Sequence, residues 1–118
     1  MTRAMRLYNI CKNDIRLFTK MCCNTIKSEH DYSLYVTRII EDFLMKYTYY
    51  FVNMDVFSCY MERAVLASIW IIDKYIEDDH LYISDIVELV RNRVDKHSII
   101  LVESEIFFLC QDIRIYIT

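Results

Sequence analysis

The sequence contains neither glycine nor proline among its 118 residues. Average usage would supply roughly 8 glycines and 6 prolines at this length. Phosphate-binding loops, dinucleotide fingerprints and nucleophile elbows need glycine, because their backbone takes positive φ or approaches a ligand closely. Tight β-hairpins favour it too. The absence therefore excludes these sites, disfavours a β-meander or barrel, and leaves a helical bundle, which can be built without a single positive φ.

The composition also leans toward residues with AT-rich codons. Isoleucine occurs 17 times and tyrosine 10 times, whereas alanine, whose codons are GC-rich, occurs only 3 times. This bias is typical of an AT-rich genome, such as that of many large DNA viruses. The composition thus has two causes: a codon bias that fits a viral source, and a helical fold that tolerates few glycines and prolines.

Hydrophobic residues make up 55% of the chain and charged residues 26%, which is enough apolar material for a core. The longest apolar run, Ala64 to Ile72, is too short to cross a membrane. The first residues lead into no apolar signal segment. We expect one soluble domain over residues 1–118, in the cytoplasm or nucleus, with no membrane partner.

Cysteine is present in an odd number, 5, without CxxC spacing, and the 3 histidines lie far from the cysteines in sequence. Metal sites use closely spaced thiols and imidazoles, and structural disulfides are rare in the cytosol and nucleus. We therefore predict reduced, mostly buried thiols, no metal ion and no cofactor.

Apolar residues recur at helical spacing in five segments. The first helix is predicted from about Arg3 to Ile26, ended by the polar stretch 27–31. The second begins near Ser33 as its cap and is broken at Asn53, and the third runs from about Ser58 to Glu77. The fourth opens around Ser84 or Asp85, with Asp85 and Glu88 at capping-box spacing, and the fifth starts after Ser98. The predicted buried stripes of the second, fourth and fifth helices are Val36, Ile40, Phe43, Tyr47 and Phe51; Ile83, Val87, Val90 and Val94; and Ile99, Val102, Ile106, Leu109 and Ile113.

The third helix is apolar on nearly every side around the single tryptophan, Trp70. Such a helix normally lies in the centre of a bundle. Short joints between the helices favour close packing. The sequence therefore predicts a compact all-α bundle of five helices with a central third helix, whose tail from Ile113 to Ile117 is extended or helical.

Basic residues concentrate in the first helix, where Lys12, Arg16 and Lys20 are spaced to lie on one face. Aromatic residues are not interleaved with them, so we do not expect nucleic-acid binding. A solvated face explains the pattern, and contact with an acidic partner is the alternative.

Catalysis has little support, because the sequence has no HExxH motif and no serine–histidine–aspartate grouping. The most concentrated acidic segment is the end of the third helix, from Asp73 through Glu77 to Asp79. Carboxylates four residues apart share a helix face, so a metal or an acid–base pair is one interpretation. We interpret the segment instead as an exposed helix end. Because acidic groups are unfavourable at a helix C-terminus, we expect it to contact another molecule.

Residues 63–117 resemble the second half of a cyclin box. In that family the third helix runs from small apolar residues into a lysine–aromatic–acidic motif, which matches Ala64 through Lys74, Tyr75 and Glu77. Asp73 stands where the family usually has a small residue. The fifth helix carries a glutamate and ends on an Asp-aromatic pattern, matched by Glu103 or Glu105 and by Asp112 to Tyr116. The resemblance implies a five-helix cyclin-box-like bundle.

The resemblance also implies a function: a non-catalytic subunit that binds a host cyclin-dependent kinase and positions its αC helix. Lys74 and either Glu103 or Glu105 would clamp a stretch of kinase backbone. We expect a monomer that joins the kinase as a heterodimer. The residues assigned to the kinase contact are Lys74, Tyr75, Glu77, Glu103, Glu105, Phe108, Ile113 and Ile115.

Two other classes remain open. One is a poxvirus-type Bcl-like bundle that binds host apoptotic or innate-signalling proteins in an apolar groove. The other is a helical dimer of no recognisable class.

Overall fold

The structure is a computed structural model that describes residues 1–26 and 30–117. Within these ranges it contains α-helices and one 3₁₀ helix but no β-strand, so the all-α prediction is confirmed. Residues 27–29, on which the predicted end of the first helix partly falls, lie outside the described ranges. The elements are α1 (Arg3–Ile26), α2 (Tyr32–Lys46), α3 (Met54–Ile76), α4 (Ile83–Glu88), α5 (Lys96–Leu109) and the 3₁₀ helix (Ile113–Tyr116).

Helix α3 is central, as predicted. It packs against α1, α2, α4 and α5. Every residue from Ala64 to Ile69 is fully buried. Three of these six residues are small (Ala64, Ala67 and Ser68), so neighbouring backbones approach closely. The apolar run at the middle of the sequence therefore forms the axis around which the other helices assemble.

The cap of α2 differs from the predicted one. Asp31, not Ser33, precedes the helix, and its carboxylate accepts a hydrogen bond from the backbone N–H of Ser33 at 3.1 Å. A carboxylate at a helix N-terminus also interacts favourably with the helix dipole. Asn53 acts in the same way for α3 by accepting from the N–H of Val56 at 2.9 Å. That helix begins four residues before the predicted start.

Helix α2 ends at Lys46, well before the predicted break, and the following segment is not helical. Tyr47 and Phe51 are nevertheless buried, as predicted. An aromatic cluster accounts for this. The Tyr47 ring packs on Phe43 of α2 and on Tyr60 of α3, and the Phe51 ring packs on Tyr47 and on α3, with ring centroids 5.1–5.4 Å apart. The members of the aromatic cluster are Phe43, Tyr47, Phe51, Phe57 and Tyr60.

Helix α4 is shorter than predicted and ends at Glu88. Tyr82 is its N-cap, and Asp85, three residues later, accepts from the backbone N–H of Tyr82 at 2.8 Å, whereas Glu88 lies at the other end of the helix and does not form the predicted box. Val90 and Val94, which were predicted on this helix, are buried beyond it. The turn between α4 and α5 therefore contributes to the core directly.

This turn uses positive φ at two residues, although a helical bundle does not require it. Arg91 and Asn92 have φ values of 53° and 59°, in the left-handed region. The N–H of Asn92 donates to the carbonyl of Val87 at 2.9 Å, which satisfies a carbonyl at the helix end. The chain thus leaves α4 through a left-handed turn that contains no glycine. For a residue with a side chain, such as arginine, this backbone conformation has a steric cost of roughly 1–2 kcal/mol.

Replacing Arg91 with glycine is therefore expected to stabilise the protein by about 0.5–1 kcal/mol, because glycine takes positive φ without the clash of a Cβ atom. The matched control is Arg91→Ala, which removes the same side chain but keeps the Cβ. Urea unfolding of both variants measures the difference. Equal stability of the two variants would show that the backbone at this position is not strained.

Helix α5 begins at Lys96, three residues before the predicted start, and Asp95 caps it by accepting from the N–H of His97 at 3.1 Å. Its stripe Ile99, Val102 and Ile106 is buried as predicted. Ile113 is buried too, but it lies in the 3₁₀ helix rather than on α5. The tail is therefore helical and folds back on α2.

Candidate functional site

The centre of the candidate site is an ion pair between α3 and α5. The ammonium of Lys74, in the last turn of α3, donates to the carboxylate of Glu103 in the middle of α5. The side chains keep 31% and 13% of their surface exposed, respectively. The two residues are 29 positions apart in sequence, and the packing of α3 on α5 brings them together.

Trp70 positions the lysine. The Lys74 ammonium lies 3.6 Å from the centre of the indole ring, a cation–π arrangement. The indole N–H donates in turn to the carbonyl of Leu81 at 3.1 Å, so the ring is fixed to the segment that follows α3. Trp70 is one turn before Lys74, so the last turn of α3 itself supplies this support.

Hydrogen-bonding capacity remains at this pair. An ammonium has three N–H donors and a carboxylate has about four lone-pair sites. One bond between Lys74 and Glu103 therefore leaves both groups able to bind a partner. The pair also neutralises each charge locally, so a neutral peptide backbone, with its carbonyls and N–H groups, is a suitable ligand.

Glu105 lies elsewhere. Its carboxylate accepts from the hydroxyl of Tyr60 at 3.0 Å, on another part of the α3–α5 contact. Burial, together with the neighbouring Tyr47, raises the pKa of Tyr60, so the phenol remains a donor at neutral pH. Since residues two apart on a helix point in nearly opposite directions, the structure brings Lys74 to Glu103 and not to Glu105.

The apolar residues predicted for the kinase contact differ in accessibility. Tyr75, Phe108 and Ile115 are exposed, by 52%, 79% and 62%. Ile113 is only 5% exposed, because the 3₁₀ helix turns its side chain into the core. Ile113 therefore packs the 3₁₀ helix against the core and is not accessible to a partner.

The acidic segment at the end of α3 is exposed as predicted at Asp78 and Asp79, but not at Asp73. Asp73 is 2% exposed, and its carboxylate accepts from the Tyr32 hydroxyl at 2.9 Å and from the Leu81 N–H at 2.6 Å. Glu77 also accepts from Tyr32, at 3.2 Å. Asp73 thus joins α2, α3 and the segment before α4. One feature of the sequence indicates the burial of Asp73: in the family that the chain resembles, this position takes a small residue, as buried positions often do.

Sequence reasoning missed a second apolar surface, the α5 outer face. It lies opposite the buried stripe of α5, and its residues are spaced to form one continuous band. Beside it a groove of about 310 Å³ runs between α5 and the segment after α2, lined by Tyr49, Ser104 and Phe108 among others. A low content of polar residues in α5 was the available signal. The α5 outer face consists of Ile100, Leu101, Ser104, Phe107 and Phe108.

The basic face of α1 has an internal partner. Arg16 lies 3.3 Å from the carboxylate of Glu41 on α2, and both side chains are well exposed. An exposed pair of this kind contributes at most about 1 kcal/mol. The arrangement favours the solvated-face interpretation over contact with an acidic partner.

No disulfide joins the cysteines, and Cys22 and Cys110 are buried while Cys59 is exposed. Burial raises the pKa of the Cys22 and Cys110 thiols to about 11 each. Among residues 1–26 and 30–117, no three histidine, cysteine or acidic side chains converge as metal ligands. In the same ranges no helix combines the length and apolar character that a membrane crossing requires.

Comparisons with models of protein families, with curated proteins and with solved structures give no match to this chain.

Proposed function

We propose that the chain is a cyclin-like regulatory subunit that binds a cyclin-dependent kinase of the host cell and has no catalysis of its own. The observation that carries the proposal is the ion pair of Lys74 and Glu103. The resemblance singled out this lysine and placed a glutamate about thirty residues after it, and the packing of α3 on α5 supports that pairing.

In the proposed complex the pair binds one stretch of kinase backbone. The free N–H groups of Lys74 donate to backbone carbonyls, and the free lone pairs of Glu103 accept from backbone N–H groups. Tyr75, Phe108 and Ile115 supply exposed apolar surface for the αC helix itself. Trp70 holds the lysine in place before the partner arrives, which lowers the entropy cost of binding.

Such a contact activates the kinase although the subunit itself catalyses no reaction. A protein kinase transfers phosphate only when the αC glutamate reaches the lysine on strand β3. A subunit that holds αC inward therefore raises the population of the active kinase by binding it more tightly than the inactive one. The subunit needs no phosphate loop, because the kinase supplies it.

The test is capture of purified cyclin-dependent kinases by the immobilised chain, followed by a phosphorylation assay. Lys74→Ala and Glu103→Ala are each expected to weaken binding at least about 30-fold, because each leaves an unpaired charge at a desolvated contact. Arg16→Ala, which breaks an ion pair on another face, is the control and should bind like the parent chain. Circular dichroism checks that all three variants stay helical.

Binding of several kinases by the parent chain with no loss in either variant would contradict the assigned site. Failure of the parent chain to bind any cyclin-dependent kinase would contradict the function itself.

The Bcl-like alternative ranks second. Recognition of an amphipathic helix uses a groove with several anchor pockets, at i, i+3 or i+4, and i+7. The groove of about 310 Å³ beside α5 is at the lower limit of small-ligand sites and suits one or two side chains. Competition by a pro-apoptotic helical peptide for the bound partner would favour this alternative.

A further inference from the structure

The α5 outer face is an exposed apolar surface on the side of α5 that points away from the core. Leu101 and Phe108 are 66% and 79% exposed, and Ile100 and Phe107 are 38% and 44% exposed. A soluble helix normally places charged residues on its outer side. Here the middle of the outer side carries only Ser104 between apolar pairs, so another surface must cover it to remove it from water.

The order of residues along this face is symmetric about Ser104. If two copies of α5 cross antiparallel on a two-fold axis at Ser104, positions equally far before and after it meet. Ile100 then faces Phe108 of the second copy, and Leu101 faces Phe107 of the second copy. A two-fold interface requires such self-complementarity, because the same patch serves both subunits.

The sizes of the residues fit this arrangement. Each contact pairs an aliphatic side chain with an aromatic one, so large and small groups alternate along the crossing, as in a packed core. Ser104, at the crossing point, is the smallest of the five side chains and lets the two helix backbones approach closely. One strongly exposed residue meets one half-exposed residue in every pair.

Charges at the two ends of α5 agree with an antiparallel crossing. Lys96 opens the helix and Asp112 follows its end, at equal distances in sequence from Ser104. In the proposed crossing, Lys96 of one copy lies near Asp112 and the C-terminal carbonyls of α5 in the second copy, where a cation is favourable. Asp112 already accepts from Arg114 at 3.1 Å, and its side chain remains 48% exposed and able to accept again.

The surface is also large enough. A phenylalanine buries roughly 150–250 Å² when fully covered. At the observed exposures the four apolar residues offer on the order of 500 Å² per chain, or about 1,000 Å² for two chains, which reaches the lower bound for a specific interface.

We propose that the chain forms a two-fold homodimer through the α5 outer face, crossing at Ser104. The dimer itself does not depend on the proposed kinase function. Its regulatory consequence does depend on that function. Phe108 is assigned to the dimer contact and to the kinase contact, so the dimer and the kinase complex exclude each other. The dimer is then a resting form that protects the kinase-binding surface until a kinase displaces the second copy.

Sedimentation equilibrium over a wide concentration range tests the dimer. The parent chain should reach twice its monomer mass of 14.4 kDa. Leu101→Glu should raise the dimer dissociation constant about 100-fold, because two carboxylates are buried without partners at the crossing. Leu17→Glu is the matched control, since Leu17 is 60% exposed on α1 and lies outside the proposed interface.

Cross-linking tests the two-fold axis. In a Cys59→Ser background, which removes the exposed thiol, Ser104→Cys should form a covalent dimer on mild oxidation, because the axis brings the two positions together. Asn13→Cys, exposed on α1, should remain monomeric under the same conditions.

A parent chain that stays monomeric at every concentration overturns the proposal. A dimer that is dissociated by Leu17→Glu but not by Leu101→Glu also overturns it. Equal cross-linking of the Ser104→Cys and Asn13→Cys variants does the same. Lys74→Ala should leave the dimer mass unchanged while it weakens kinase capture, so failure of the dimer and failure of the kinase function are distinguishable.

Discussion

Replacing Asp73 with alanine is expected to lower the free energy of unfolding by about 3 kcal/mol, because the change leaves buried donors without an acceptor. The N–H of Leu81 loses its bond to this carboxylate, and the Tyr32 hydroxyl keeps only the longer bond to Glu77. For a chain of this length the melting temperature should fall by about 10 °C. Urea and thermal unfolding, followed by circular dichroism, measure both quantities.

The control for this prediction is Asp78→Ala, an acidic residue five positions later that is exposed. It should change the stability by less than about 0.5 kcal/mol. Tyr32→Phe removes one partner of Asp73, so a double-mutant cycle with Asp73→Ala should show coupling between the two residues. Equal effects of Asp73→Ala and Asp78→Ala would mean that the buried carboxylate does not join the helices.

Phe51→Ala is expected to cost about 3–4 kcal/mol, because it opens a cavity in the aromatic cluster. The Phe51 ring packs edge-on against Phe57 at 5.1 Å, parallel to Tyr47 at 5.3 Å and tilted against Tyr60 at 5.3 Å. The segment after α2 is not helical, so these ring contacts hold it together with the hydrogen bond from the Arg3 guanidinium to the Phe51 carbonyl at 2.9 Å. We therefore also expect faster backbone hydrogen exchange over residues 47–52.

The neighbouring residue provides the control. Tyr50 is 71% exposed, and its ring carries only a contact with the guanidinium of Arg3 at 4.5 Å. Tyr50→Ala should therefore cost no more than about 1 kcal/mol. Similar losses for the two variants would show that the cluster does not stabilise this segment more than an exposed ring does.

Helical periodicity predicted the five helices and their order, and the apolar character of the third helix on nearly every side predicted its central position. It failed where spacing is ambiguous. Tyr47 and Phe51 are four residues apart, and this interval places two side chains on one side of an extended segment as well as of a helix. The residues between them are rich in tyrosine and threonine, which favour the extended form. Periodicity alone does not separate these cases.

The site was predictable to the level of residue type and approximate spacing. The lysine at the end of α3 and a glutamate on α5 follow from the resemblance, whereas the choice of Glu103 over Glu105 depends on how α5 is rotated against α3. Asp73 was misjudged because a charged residue beside other acidic residues normally faces water. Its burial depends on two donors that are distant in sequence, Tyr32 and Leu81.

The contact between Trp70 and Lys74 has a spectroscopic consequence. Trp70 is the single tryptophan of the chain, and the ammonium at the centre of the candidate site lies over its ring. All tryptophan emission therefore originates from one fluorophore, whose ring lies 3.6 Å from the ammonium of Lys74. The protein thus carries an intrinsic optical reporter beneath the ion pair, and no label has to be attached to follow what happens to that cation.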